Sequence, residues 1–375
     1  MKRFAMVFIL IVLVSLAGAI VAQRGPGPAA PAAAGNTTAK AVTAANEFLT
    51  MLDAGERAKA AFPFVSPQKT NWSNLPGGIY QRNSLRLGDL NPAKRAAALA
   101  VVAAVLSSDG YRKVTDIMNG DEVLRGTGGG QTGGRAGAPP PGGPGGRGGG
   151  GRAGGGGGGG RGGGVTFGRD EYYIALLGSP STTTPWMVQF GGHHLAINVT
   201  IVGRNNVITP SLPAAQPAKY TLNGQTIRPL GKENDKGFAL IGALGAEQRK
   251  QAILNYRVSD LVLGPGADGK TIMPEGILAT ALNDSQQAML LDLAHEWVGI
   301  LNDEGAAARM AEIRTNLPRT YFAWSGATEN GGLAYFRIQG PTVLIEYAPQ
   351  QGDLDHIHTI YRDPTNDYGA RLVTP

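Results

Sequence analysis

Between Ala334 and Arg362 the chain alternates apolar and polar residues in three short runs separated by turn residues. Successive side chains of a strand point to opposite faces, so the alternation predicts strands over 334–339, 342–347 and 356–362. Gly340-Pro341 supplies a tight turn between the first two, with Gly free to take positive φ and Pro held near its preferred φ. One face then carries Phe336, Ile338, Val343, Ile345, Tyr347, Ile357 and Tyr361, and reads as core. The other carries Tyr335, Arg337, Gln339, Leu344, Glu346, His356, His358 and Arg362. That face is too polar for core and too selective in its chemistry for an ordinary wetted surface.

A second alternating pair lies upstream. Glu171–Leu177 and Trp186–Phe190 read as strands, and Gly191-Gly192 turns the chain into His193–Val202. A two-residue loop there pairs Phe190 with His193 and Gln189 with His194. His194, Ala196, Asn198 and Thr200 share the polar side of this hairpin, opposite His193, Leu195, Ile197, Val199 and Ile201. Helical spacing of apolar residues begins at Ala41 and recurs over Ala96–Leu106, Tyr111–Leu124, Ala239–Leu254, Thr280–Leu301 and Ala306–Asn316. Asn91-Pro92 has the form of a helix start, with Asn as cap and Pro in the first turn. Tyr321–Trp324 reads as a strand feeding the C-terminal meander, while Pro210–Pro229 and Val258–Glu275 read as loop. The fold class expected is α+β: antiparallel sheet, in hairpins and a C-terminal meander, packed with helices in one domain over residues 41–375.

Composition changes this picture at three places. Lys2-Arg3 followed by an apolar run to about Val21 and small residues at Ala19 and Ala22 predicts a signal peptide over 1–22, with an uncleaved anchor as the alternative. Residues 23–40 then form a flexible leader, and the mature protein is expected to be exported, periplasmic or extracellular, with no later membrane span. Residues 126–164 are almost all Gly, with Pro, Ala and isolated Arg, which predicts a disordered insertion. Removing Lys2, Arg3 and the five arginines in and beside that tract from the net +6 leaves about −1, so no nucleic-acid partner is expected. The absence of cysteine excludes disulfides, thiolate metal sites and thiol nucleophiles.

The sharpest chemical signal is His356-x-His358. Spacing of two on a strand puts both imidazoles on one face, within reach of one metal ion. Glu346 lies on the same face and His194 can join from the other hairpin. Of five histidines, four fall in these two short motifs, which concentrates the signal. His194, His356, His358 and Glu346 are therefore the candidate metal ligands, for zinc, iron, manganese or copper. The bland alternative is a hydrogen-bonded polar pocket without metal. Glu346 is also a candidate general base, with Arg337 and Arg362 holding an anionic substrate group; the alternative is a structural ion pair, with Arg337 diagonal to Glu346 across the strands. His295-Glu296 lacks the second histidine of a zinc-protease helix, because position 299 is Gly.

Leu85–Leu90, Phe190–Leu195, Phe322–Trp324, Tyr335–Pro341, Glu346-Tyr347, His356–His358 and Arg362–Gly369 together resemble the exported, largely bacterial family catalogued as domain of unknown function 3500. The resemblance covers most of residues 41–372, departs from the family pattern at the Gly-rich insertion and at Ala348-Pro349, and implies no particular activity. Two functions are consistent with these residues. One is a secreted metal-dependent enzyme, a hydrolase or an oxidoreductase; the other is a non-catalytic binding protein for a small anionic ligand.

Overall fold

A computed structural model describes residues 36–127 and 164–373. The expected signal peptide, residues 23–35 of the leader and residues 128–163 of the Gly-rich insertion lie outside the described residues, while residues 36–40 of the expected leader are helical. The described residues belong to one compact unit and combine helices with sheets that are antiparallel apart from one short parallel edge pair, an α+β architecture. No helix among them is long and apolar enough to cross a membrane.

The first sheet contains β1 (Ala61–Phe62), β2 (Leu85–Arg86), β3 (Tyr173–Leu177), β4 (Trp186–Gly192), β5 (Leu195–Val202), β6 (Asn205–Val207) and β7 (Leu212–Pro213). A two-stranded hairpin follows, β8 (Tyr220–Leu222) and β9 (Gln225–Ile227). The second sheet is β10 (Ile277–Leu278), β11 (Tyr321–Gly326), β12 (Ala334–Gly340), β13 (Val343–Pro349) and β14 (Ile357–Arg362), antiparallel in that order. The helices are α1 (Asn36–Met51), α2 (Ala54–Ala60), α3 (Pro92–Val105), α4 (Ser108–Gly126), α5 (Gly231–Ala243), α6 (Ala246–Ala252), α7 (Asp284–Val298), α8 (Asp303–Asn316) and α9 (Ala370–Val373), and several begin at a side-chain cap. Asn91 Oδ1 accepts from Lys94 N at the start of α3 (Pro92–Val105), and Ser107 caps α4 (Ser108–Gly126). Asn283 and Gln286 close a reciprocal box at the start of α7 (Asp284–Val298). The first helix starts at Asn36, ahead of the expected Ala41, and the expected helix over Ala239–Leu254 is two, Gly231–Ala243 and Ala246–Ala252.

Every residue assigned from the alternation to the apolar face of the meander lies in the main core. Phe336 stacks between Trp324 at 5.7 Å and Tyr347 at 4.9 Å, and Trp297 of α7 meets it edge-on. The turn between β12 and β13 sits one residue later than expected, with Gly340 paired to Val343 and Pro341-Thr342 as the loop. This puts Arg337 directly opposite Glu346, not diagonal to it. Because the register shifts by two residues, the period of the strand, no side chain changes face.

The upstream hairpin turns at His193-His194, not at Gly191-Gly192. Gly191 pairs with Ala196 and Gly192 with Leu195, so both glycines are strand residues. A Cβ on Gly192 would lie 2.8 Å from the Glu171 carbonyl oxygen, and one on Gly191 would lie 2.4 Å from that of Leu195. The glycines admit close backbone approach instead of making a turn.

Part of the expected Pro210–Pro229 loop is also strand. Antiparallel β7 pairs with β5 through Leu195–Pro213 and Ala196–Leu212. On its other edge the same segment bridges β14, with Ser211 and Tyr361 exchanging bonds of 2.8 and 2.9 Å, and Ala215 and Ile357 exchanging bonds of 2.9 Å. β7 thus joins the two sheets. The Thr359 hydroxyl reinforces the seam by donating to the Pro213 carbonyl and accepting from Trp297 Nε1 at 2.9 Å. Thr359→Val keeps the shape but leaves the buried indole N–H unpaired, which costs about 1–3 kcal/mol. Urea titration should show a lowered midpoint at unchanged slope.

Candidate metal centre

The seam sets the site. In register, His194 stands level with Ala214, whose N–H donates to the His194 carbonyl at 2.8 Å, and Ala214 stands level with His358 across the bridge to β14. Two strand spacings, about 10 Å of backbone, separate the two histidines, a gap that two imidazoles reach across. The turn that presents His194 is held from outside: the Asn74 carbonyl accepts from His194 N at 3.0 Å, and the Tyr172 hydroxyl donates to the His193 carbonyl at 2.9 Å. His194 adopts φ +59°, in the left-handed region that usually takes Gly or Asn.

Three imidazole nitrogens converge. His194 Nε2 lies 2.8 Å from His356 Nε2, which lies 3.1 Å from His358 Nε2. One ligand atom from each of the three histidines falls within 4.8 Å of the others. A ring nitrogen carries either one N–H or one lone pair in its plane, so His356 Nε2 can satisfy only one of its two neighbours by hydrogen bonding. A single cation at about 2.0–2.1 Å from each nitrogen, as imidazole ligands require, sets ligand atoms about 3 Å apart and uses all three lone pairs.

The surroundings suit a cation. Burial, then the neighbouring His193, His356 and His358, hold the His194 imidazole well below its ordinary pKa. Burial, then His358 and His193, push His356 down to about 3. Both are neutral at pH 7, the form that binds metal. His358 Nδ1 lies 2.9 Å from Asp260 Oδ1, the carboxylate–imidazole arrangement that leaves Nε2 free to ligate. Burial raises the Asp260 carboxyl, but its bond to His358 and that imidazole's proximity outweigh this and hold it below its usual range. Asn74 Nδ2 sits 3.3 Å from His358 Nε2. His193 points the other way, to Asp121 at 2.6 Å, with its ring tilted by 30° against that of His194 at a centroid distance of 3.7 Å. His194 and His358 are buried and His356 is half-buried, so the cluster meets solvent on the His356 side.

The structure does not bring Glu346 to this group. Glu346 faces Ile360, while Ala348 faces His358, which places Glu346 one pair further along β13. Its oxygens accept from Val262 N and Leu263 N, both at 2.8 Å, and from the Tyr335 hydroxyl at 2.8 Å. Arg337 and Arg362 are likewise engaged. Arg337 bonds Glu275 and the Tyr335 hydroxyl; Arg362 bonds Asp268, Asp367 and the carbonyls of Leu263 and Gly264. The face expected to line a pocket is covered by residues 258–276. His295 is exposed on α7, and Glu296 pairs with Lys236. Sequence reasoning missed Asp260 and Asn74, which sit in irregular segments whose path no periodicity reveals.

The family model described as Protein of unknown function (DUF3500) matches residues 34–370, nearly the whole chain. The chain belongs to this family. No curated protein and no solved structure matches this DUF3500 chain.

The depressed imidazoles make metal-free DUF3500 protein acid-sensitive. Between the ordinary His value of 6.5 and about 3, the unfolded chain binds more protons than the folded one at His356, so stability falls as pH drops through that window. His356→Gln should flatten this slope by about one proton, read from urea titrations at about pH 7, 5.5 and 4.

Proposed function

We propose that this DUF3500 protein is an exported metalloprotein that holds one divalent transition-metal ion on His194, His356 and His358, and that it is a metal-dependent hydrolase or oxidoreductase acting on a small molecule. The observation that carries the reading is the convergence of three imidazole Nε2 atoms at separations of 2.8 and 3.1 Å along the cluster. With three protein ligands rather than four, one coordination position stays open, the arrangement of catalytic rather than closed structural sites. His356 is half-buried, so the cluster that would hold the ion is reachable from solvent. An all-imidazole set favours zinc, iron or copper over manganese, which prefers oxygen ligands. When bound, such an ion supplies Lewis-acid or redox chemistry and lowers the pKa of bound water to about 7 in zinc sites. The chain's own contribution is to hold the rings: Asp260 orients His358, and the strained turn presents His194.

The alternative of a pocket for a small anion draws on Arg337 and Arg362. Both are buried and engaged with protein acceptors, which favours the metal reading. Elemental analysis of protein purified without a histidine tag should find about one zinc, iron or copper per chain, and His356→Ala should lose it. A wild-type protein that carries no stoichiometric metal and takes none up on reconstitution overturns the proposal.

A further inference from the structure

Residues 258–276 contain no helix or strand and lie across the polar face of the second sheet. A segment laid on a buried face cannot leave its backbone groups without partners. The sheet supplies them. Glu346 accepts from the N–H groups of Val262 and Leu263, Arg362 donates to the carbonyls of Leu263 and Gly264, and Gln339 donates to that of Ile272 at 2.7 Å. Glu346 is fully buried, and a carboxylate buried there without those donors would be strongly destabilised. Asp260 lies two residues before the Glu346 clamp, and on its other side Gln351 N–H donates to the Ser259 carbonyl at 2.8 Å. The backbone on both flanks of Asp260 is thus held, and its carboxylate meets His358 Nδ1 there while also accepting from Leu261 N at 2.7 Å.

We infer that Glu346 is a positioning residue of the metal centre, acting through the backbone of residues 262–263 to fix Asp260 against His358. The inference rests on the metal reading above and assigns Glu346 a role without placing it on the ion. Tyr335 belongs to the same device, because its hydroxyl donates to Glu346 and helps fix the carboxylate.

A cycle of Glu346→Gln, Asp260→Asn and the double variant tests it, with zinc affinity measured by competition against a chromophoric chelator. Asp260→Asn should weaken zinc by about 10–100-fold, the usual effect of losing a carboxylate behind a ligating imidazole. Glu346→Gln should weaken it by about tenfold or more alone, yet add nothing in the Asp260→Asn background. A residue that merely stabilised the fold would shift the melting temperature equally in both backgrounds and leave the zinc affinity of the folded protein alone. Unchanged affinity in Glu346→Gln, or losses that multiply in the double variant, overturns the inference. Should Glu346→Gln not fold, Tyr335→Phe carries the same cycle with the same two outcomes. A wild-type protein that binds no zinc, iron or copper defeats the metal reading itself, a failure distinct from normal binding in the variants.

Discussion

The candidate centre exists because one short segment pairs on both edges. Residues 211–215 hydrogen-bond to β5 on one side and to β14 on the other, and so convert two sheets into one continuous surface. Without that seam, His194 and the His356–His358 pair would belong to separate sheets with nothing to set their distance. With it, backbone registry alone carries the row of His194 to the row of His358. Main-chain pairing is the stiffest ruler the chain has, since its spacing is set by covalent geometry and ladder hydrogen bonds and hardly by side-chain identity.

Charge is buried on the second face of the C-terminal sheet to a degree that demands a reason. Glu346, Arg337 and Arg362 are nearly inaccessible to water. Isolated charges there would be prohibitive, but each is surrounded by complementary groups from residues 258–276 and from the acidic turns. The exchange is mutual. The irregular segment gains partners for its backbone, and the side chains gain donors and acceptors in place of water. The result is a hydrogen-bonded cover without secondary structure, from which Asp260 reaches the histidines.

Strain and polarity concentrate at the same place. A histidine at positive φ, packed against a second histidine and with its Nδ1 buried without a hydrogen-bond partner, is an unfavourable way to close a hairpin. Gly or Asn would close it at lower cost. The fold tolerates His194 because the turn is held from outside by Asn74 and Tyr172, so the neighbouring structure, not the hairpin itself, stabilises the conformation.

The alternation over 334–362 was enough to assign both faces of the meander, because strand periodicity depends only on local geometry, and a turn one residue out of place leaves each side chain on its face. The same alternation put His356 and His358 on one side, and helix spacing, with the Asn91 cap at one start, located the long helices to within a few residues. The Asn223-Gly224 pair, with φ of 51° and 75°, turns a hairpin inside the stretch 210–229 that was expected to be loop. Tertiary structure decided the rest. Gly191-Gly192 looks like a turn until Glu171 and Tyr172 crowd Gly192 and the Leu195 carbonyl crowds Gly191, which requires glycine within a strand. Glu346 looks like a ligand until a distant irregular segment claims both its oxygens. Local pattern specifies which way a side chain points; which partner meets it there depends on contacts between segments up to hundreds of residues apart, and those are fixed only when the sheets are joined.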